Sequence, residues 1–433
     1  MEVVWGDTAG IGVLDYVTGW YRKAAEYIQR TRVKVGFVST NSISQGEQAG
    51  TLWNPLFERF GLKIHFGHRT FKWESEARGK AHVHVIIVGF GAFDTRNKQI
   101  YDYEQETMTM SAAKNISPYL VEGSDFAVVA RKRPLCSVPA CMYGSKPADG
   151  GHLILEERDR EAFLAENPGA TKYVRPLLCA QEYLHSVPRW CLWLVDASPA
   201  DILNMTGIRR RVEAVRDFRL ASRKEQTRGK AGQPMLFAEI RQPTSRFIVI
   251  PQHTSEGRRY VPFGYFGPEV ILHNSCSAIP DATLYHFGVL SSAMHISWVR
   301  VVCGRIKSDL RYSTNLTYNN FPWPGNPSND QCRRVEEAAQ GVLDERSKFP
   351  AATLADLYNP LAMPPALIKA HGDLDRAVDR CYRSQSFDND RQRVEYLFVL
   401  YEKLAAPLIP PSRKVRVRDR WGDNGTRYGA GAA

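Results

Sequence analysis

"IHFGHRTFKWESEARGKAHVHVIIVGF", residues 64–90, holds two runs rich in β-branched and aromatic residues around a charged centre. Such runs favour strands. "VHVIIVGF" is apolar at nearly every position, as a strand covered on both faces of a sheet requires. Upstream, "VKVGFV" (33–38) reads as another buried strand. "STNSISQGEQ" (39–48) brings turn formers and a helix start, and "LWNPLFERF" (52–60) runs to Gly61, a suitable helix stop. Earlier still, "VLDYVTGWYRKAAEYIQR" (13–30) puts Val13, Val17, Trp20, Ala24 and Tyr27/Ile28 on one helical face. Residues 1–92 therefore read as helix, strand, helix, strand, strand, the second half of an α/β sheet.

Beyond them, residues 93–134 are more polar and read as a connecting segment. A Gly- and Pro-rich stretch, "CSVPACMYGSKPADGGHLIL" (136–155), marks a boundary. From 135 to 325 short strands, prolines and aromatics mix with basic residues, which predicts a mixed α/β domain ending in "RYSTNLTYNNFPWP" (311–324). Residues 326–410 carry three amphipathic faces: Val335, Ala338, Ala339, Val342 and Leu343; Leu367, Leu374, Val378 and Cys381; Val394, Leu397, Phe398 and Tyr401. They predict a small helical domain, followed by a basic, Gly-rich tail over 411–433.

The 433-residue chain is 43% hydrophobic and 24% charged, ordinary globular composition, with a net charge of +11. Between 205 and 325 stand 17 Lys/Arg against 8 Asp/Glu, so most of the excess sits there. A basic excess of this kind points to nucleic acid or an anionic membrane surface. The densest run, "RRRVEAVRDFRLASRKEQTRGK" (209–230), also fits a plain solvated helix face. No run of 18 apolar residues exists, so no membrane span is expected. The start lacks a signal-peptide pattern. The eight cysteines are scattered without a CxxC pair, which fits free thiols in a cytoplasmic protein.

Several stretches carry candidate chemistry. "HRTFKW" (68–73) sets Phe71 and Trp73 beside cationic side chains. An enzyme that modifies a base within duplex DNA must extrude it and hold it against an aromatic face. Either ring could serve, or either could cap the sheet as a core aromatic. "TSEGRRYVPFG" (254–264) presents Arg258, Arg259 and Tyr260, and "GRIKSDLRYSTNLTYNN" (304–320) presents Arg305, Lys307, Arg311, Asn315, Asn319 and Asn320. Arg and Lys suit guanine and phosphate, and Asn suits adenine. Lys146 in "GSKPADGG" (144–151) could meet a phosphate, although that loop lacks the GK(S/T) ending of a nucleotide loop. His65, His68, His82 and His84 have no carboxylate or thiol at ligand spacing, so no metal is expected. "NPLF" (54–57) lies in a predicted helix, which rules it out as an amino-methyltransferase loop.

"LDYVTGWYRKAAEYI", "VGFVSTNSISQGEQ", the stretch 64–90, "GSKPADGGHLIL", "LYHFGVLSSAMHISWVRVVCGRIKSDLRYSTNLTYNNFPWP" and "LADLYNPLAMPPALIKAHGDLDRAVDRCY" follow in order. Together they resemble the C-terminal two-thirds of the MmeI-like DNA adenine methyltransferases of restriction–modification systems, over about residues 10–410. The resemblance implies a partial Rossmann-like methyltransferase sheet in 1–92, a target recognition domain in 135–325 that binds double-stranded DNA, and a helical C-terminal domain in 326–410. It implies S-adenosylmethionine as cofactor, and Phe71 as the ring against a flipped adenine. The family's Gly-containing cofactor loop, its NPPF catalytic loop and a nuclease region are not found in this sequence. The resemblance thus implies either a fragment active with an N-terminal methyltransferase half in trans, or a catalytically dead recognition module or specificity subunit. A sheet lacking its first four strands would expose apolar edge and face, so residues 1–92 are not expected to fold stably alone.

Overall fold

The computed structural model describes residues 1–6, 8–73, 83–104 and 107–406. His82, residues 407–410 of the helical region and the basic tail lie outside them. A five-stranded sheet leads the chain: β1 (Val35–Thr40), β2 (Lys63–Trp73), β3 (Val83–Gly91), β4 (Lys98–Glu104) and β5 (Thr107–Ala113). Its order is β1-β3-β2-β4-β5. β3 is antiparallel to both neighbours, so β1 and β2 run the same way with β3 inserted between them. The helix Gly46–Phe60 makes the crossover from β1 to β2 and ends at Gly61, whose φ of +60° closes the last turn in the left-handed form that glycine tolerates.

Two expectations change here. The sheet does not end near residue 92, because β4 pairs with β2 and carries β5 on its other side. Nor is "VKVGFV" a buried strand: β1 is half-exposed, and Val38 is 51% accessible. Among the described residues no strand pairs with the outer edge of β1. The helix Thr18–Tyr27 tells the same story. Of the expected core face, Ile28 is buried and Val17 and Ala24 pack on the core, whereas Trp20 and Tyr27 are exposed and Tyr21 and Ala25 are buried instead. β3 does match its reading, since Ile86, Val88 and Phe90 are buried.

The basic region divides into two lobes with separate cores. One packs the helix Thr206–Leu220 on a four-stranded sheet through Leu153, Leu155, Cys191, Leu192, Ile208 and Val215. The other is not closed on itself. Ile248, Ile250, Trp298 and Phe321 share one core with Val335, Leu374, Leu397 and Phe398 of the C-terminal helices, and with Tyr119 and Val128. The three helical faces read from the sequence are the buried ones, and they cover the recognition lobe instead of forming a detached bundle.

Arg219 shows how the first lobe is fixed. Its side chain is fully buried, and its guanidinium donates to the carbonyls of Pro147, Ala148, Lys230, Gln233 and Leu236. It thereby ties "GSKPADGG" to the basic helix. Asp149 in that loop accepts from the backbone N–H groups of Gly151 and Leu153. Other donors of the loop go to neighbouring segments, Gly144 N–H to the Cys276 carbonyl, Ser145 N–H to Leu272 and Lys146 N–H to Glu239, and Gly150 and Gly151 take positive φ in its turn.

Candidate nucleic-acid interface

The sheet's β2–β3 end faces a three-stranded ribbon formed by His253–Thr254, Asp309–Arg311 and Gly304–Ile306. Between them lies a cavity of about 730 Å³. Asn41, Thr70, Phe71, Lys72, His84 and Tyr103 line the sheet side, and Glu256, Arg305, Lys307 and Ser308 the ribbon side.

A β-bulge aims Phe71 into this space. His68 pairs with Ile87 and Phe71 with Val85, so three steps on β2 match two on β3. One extra residue turns the following side chains, a device common beside functional sites. Phe71 stays half-buried, 4.7 Å from the ring of Tyr103 at an angle of 35°. The Tyr103 hydroxyl is held by Nδ1 of His68 at 2.6 Å, and burial shifts His68 toward its neutral form. Arg69 pairs with Asp102 on the same two strands. Trp73 lies further out, 48% exposed and 6.3 Å from Phe71, and does not line the cavity. Asn41 and Tyr103 carry no signal of their own in the sequence, and His84 stands out there only as a histidine without metal-ligand partners. The alternation in "KQIYDYE" (98–104) was the available signal for the strand that carries Tyr103.

The cationic candidates fall into different settings. Lys307, at φ +56°, is exposed at the tip of the hairpin, and no hydrogen bond or ion pair holds its ammonium among the described residues. Arg311 is exposed beside a second cavity of about 350 Å³ with Tyr143 and Gln252. Arg259 is exposed with its guanidinium 5.5 Å from the Tyr260 ring, and Arg258 is half-buried and donates to the Thr254 hydroxyl at 3.1 Å. Lys146 is half-exposed and 3.6 Å from Glu239. Arg305 is different: its side chain is 20% exposed, and its Nε, Nη1 and Nη2 all meet protein acceptors.

Two candidates belong to the core. Tyr260 is 1% exposed, stacks on His371 at 3.9 Å and donates to the Asp375 carboxylate at 2.7 Å. Asn319 is 2% exposed and donates to the Arg131 carbonyl at 2.8 Å. Neither reaches a surface where a base edge could meet it. Asn315 is half-buried and its carbonyl accepts from the Arg131 N–H. Asn320 donates to the carbonyls of Val129, Asn315 and Leu316. The Asn-rich stretch thus grips the backbone of 129–135. Phe321 and Trp323 are buried, and the Pro322 carbonyl accepts from the Tyr382 hydroxyl, which places "FPWP" at the joint with the C-terminal helices.

Asn54 of "NPLF" is likewise structural, exchanging hydrogen bonds with both backbone groups of Ala127 from within a helix. His65 bonds the Phe93 carbonyl. Among the described residues no three His, Cys, Asp or Glu side chains are grouped to hold a metal, and no helix is long and apolar enough to cross a membrane.

The α/β sheet with its antiparallel inserted strand thus meets the ribbon across a cleft. Family models cover both parts: the MmeI DNA-methyltransferase domain matches residues 1–102, the MmeI target recognition domain 122–325 and the MmeI C-terminal domain 327–409. The chain is 38% identical over 405 residues to DNA methyltransferase A of Bacillus subtilis (strain 168), across 93% of this chain and 45% of that protein. It superposes on the solved Type IIL restriction–modification enzyme MmeI in complex with DNA with a TM-score of 0.86 and 41% identity, covering 94% of this chain and 54% of that one. The chain therefore belongs to the MmeI-like family of restriction–modification DNA methyltransferases, and it spans about half the length of the relatives it matches.

Proposed function

We propose that the chain is the recognition-bearing part of a site-specific DNA adenine-N6 methyltransferase that uses S-adenosylmethionine. The observation that carries this reading is the cavity between Phe71 and the Lys307 hairpin, in a chain matched across its length by a DNA methyltransferase. Double-stranded DNA lies along the ribbon, with Lys307, Arg311, Arg259 and Arg258 meeting phosphates or base edges. The target adenine, once extruded, stacks on Phe71. Holding the amine in line with the sulfonium methyl supplies most of the rate by positioning. Lys146 contributes at most a peripheral phosphate contact, since it already faces Glu239.

The cofactor and the loop that grips the target amine belong to an N-terminal methyltransferase half that packs on this sheet. The unpaired edge of β1 supports this, together with exposed Tyr16, Trp20, Tyr27, Val33 and Val38 on the same segment. Burying that apolar face and pairing the edge would complete the sheet. The experiment is transfer of labelled methyl to DNA by the chain alone and with an N-terminal half from a family member. Transfer only in the mixture is expected, with Phe71→Ala reducing it about 100-fold while leaving duplex affinity unchanged. DNA binding with no transfer in the mixture would favour the other reading, a catalytically dead recognition module or specificity subunit.

A further inference from the structure

The candidate with the richest set of contacts is Arg305. Its Nε donates to Oε1 of Gln45 at 3.0 Å, and Nη1 to the Glu256 carboxylate at 2.9 Å and the Ser308 carbonyl at 3.0 Å. Nη2 reaches the Arg300 carbonyl at 3.4 Å. Gln45 belongs to the turn that leaves β1, and its amide donates in turn to Oδ1 of Asn41 on the cavity wall at 3.1 Å. Glu256 and Ser308 belong to the two loops of the ribbon. One guanidinium therefore fastens the ribbon to the sheet's functional end. The backbones meet at the same point: a Cβ added to Gly46, which has φ +63°, would lie 3.1 Å from the Gly304 Cα. Only glycine permits that approach with that backbone.

We propose that Arg305 is a positioning residue, a latch that holds the recognition hairpin in register with the Phe71 cavity through Gln45, and that it does not itself contact DNA. This rests on the proposed function above and adds to it a division of labour among neighbouring cations. Lys307 and Arg311 are left for the ligand, whereas Arg305 is consumed in joining the two parts. An Arg fork is suited to this because it satisfies several acceptors in one fixed geometry, which a Lys ammonium does not reproduce.

The test combines hydrogen exchange with DNA titration of the whole chain, using a random-sequence duplex as the probe. Gln45→Leu and Arg305→Gln should each speed amide exchange across the hairpin 304–311 about tenfold, and the double variant should do no more than either single one. Gln45→Glu, which keeps the acceptor, should leave exchange slow. Duplex affinity of Arg305→Gln should fall by the same factor at every salt concentration, because no phosphate contact has been lost. A drop of about one in the salt slope for Arg305→Gln, with Gln45→Leu silent, would make Arg305 a DNA contact and overturn the latch. Unchanged exchange in both single variants would overturn it too. If the unaltered chain bound no duplex at any salt, the proposed function would fail while the exchange comparison still decided the latch.

Discussion

The hairpin 304–311 and the stretch 313–324 are neighbours in the chain and both rich in polar residues, yet they do opposite work. The hairpin leaves Lys307 and Arg311 exposed at two cavities. The stretch that follows is buried almost throughout, with its polar atoms turned inward onto backbone groups. A polar sequence thus signals a hydrogen-bonding task without saying whether the partner is a ligand or the protein's own main chain. Asn is well suited to the second, since one amide can serve carbonyls that no regular strand reaches.

The largest effects should come from the buried side. Trp298 is fully buried between Phe321, Phe398 and Tyr401, and its indole N–H donates to the Thr317 carbonyl at 3.1 Å. Trp298→Ala should cost about 3–5 kcal/mol in urea unfolding and lower DNA binding only through loss of fold. Asn320→Leu keeps volume and removes a donor shared by three carbonyls, of which Asn315's keeps its bond from the Arg131 N–H, so about 2 kcal/mol is expected, with faster amide exchange over 129–135. A near-neutral result for either would show that this joint is looser than its contacts imply.

Asp375 sharpens the contrast through pH. It accepts from the Tyr260 hydroxyl and from the Ala293 N–H at 2.6 Å, and burial raises its carboxyl to about 6 from 3.8. A carboxyl raised in the folded state favours folding most below its unfolded value. That contribution fades as pH climbs through about 6, by up to roughly 3 kcal/mol. Asp375→Asn should therefore match or exceed the unaltered protein in melting temperature at pH 8 and lose that advantage below pH 4.5. An advantage that grew on acidification would contradict the assignment. The smallest effect belongs to the open side: Lys307→Ala should leave unfolding unchanged and reduce the salt slope of duplex binding by about one.

Much of the architecture was legible from local pattern. The helical faces of 326–410 and the apolar run of β3 follow directly from periodicity, because the spacing of their apolar residues is itself a local pattern whatever covers them. The helical face expected over 13–28 is only half covered: Ile28 is buried and Val17 and Ala24 pack on the core, whereas Val13, Trp20 and Tyr27 are apolar without being covered in this chain. β4 and β5 were missed because a two-sided polar hairpin such as Lys98–Ala113 carries a weak hydrophobic signal. Phe71 could be named as a candidate, but its wall of Tyr103, His84 and Asn41 depends on strand order, which local pattern does not encode. Tyr260 and Asn319 were misplaced for the reason the hairpin comparison makes plain: residue type matched DNA chemistry, and tertiary partners claimed them first.

The central claim is that DNA occupies the cleft between the sheet and the ribbon while the adjoining Asn–aromatic stretch stays a sealed joint. Amide hydrogen exchange of the whole chain with and without duplex DNA tests it most directly. Protection is expected at 255–259, at 304–311 and at the β2–β4 ends around Phe71 and Tyr103, with 313–324 unchanged. Protection confined to other surfaces, or appearing first in 313–324, would contradict it.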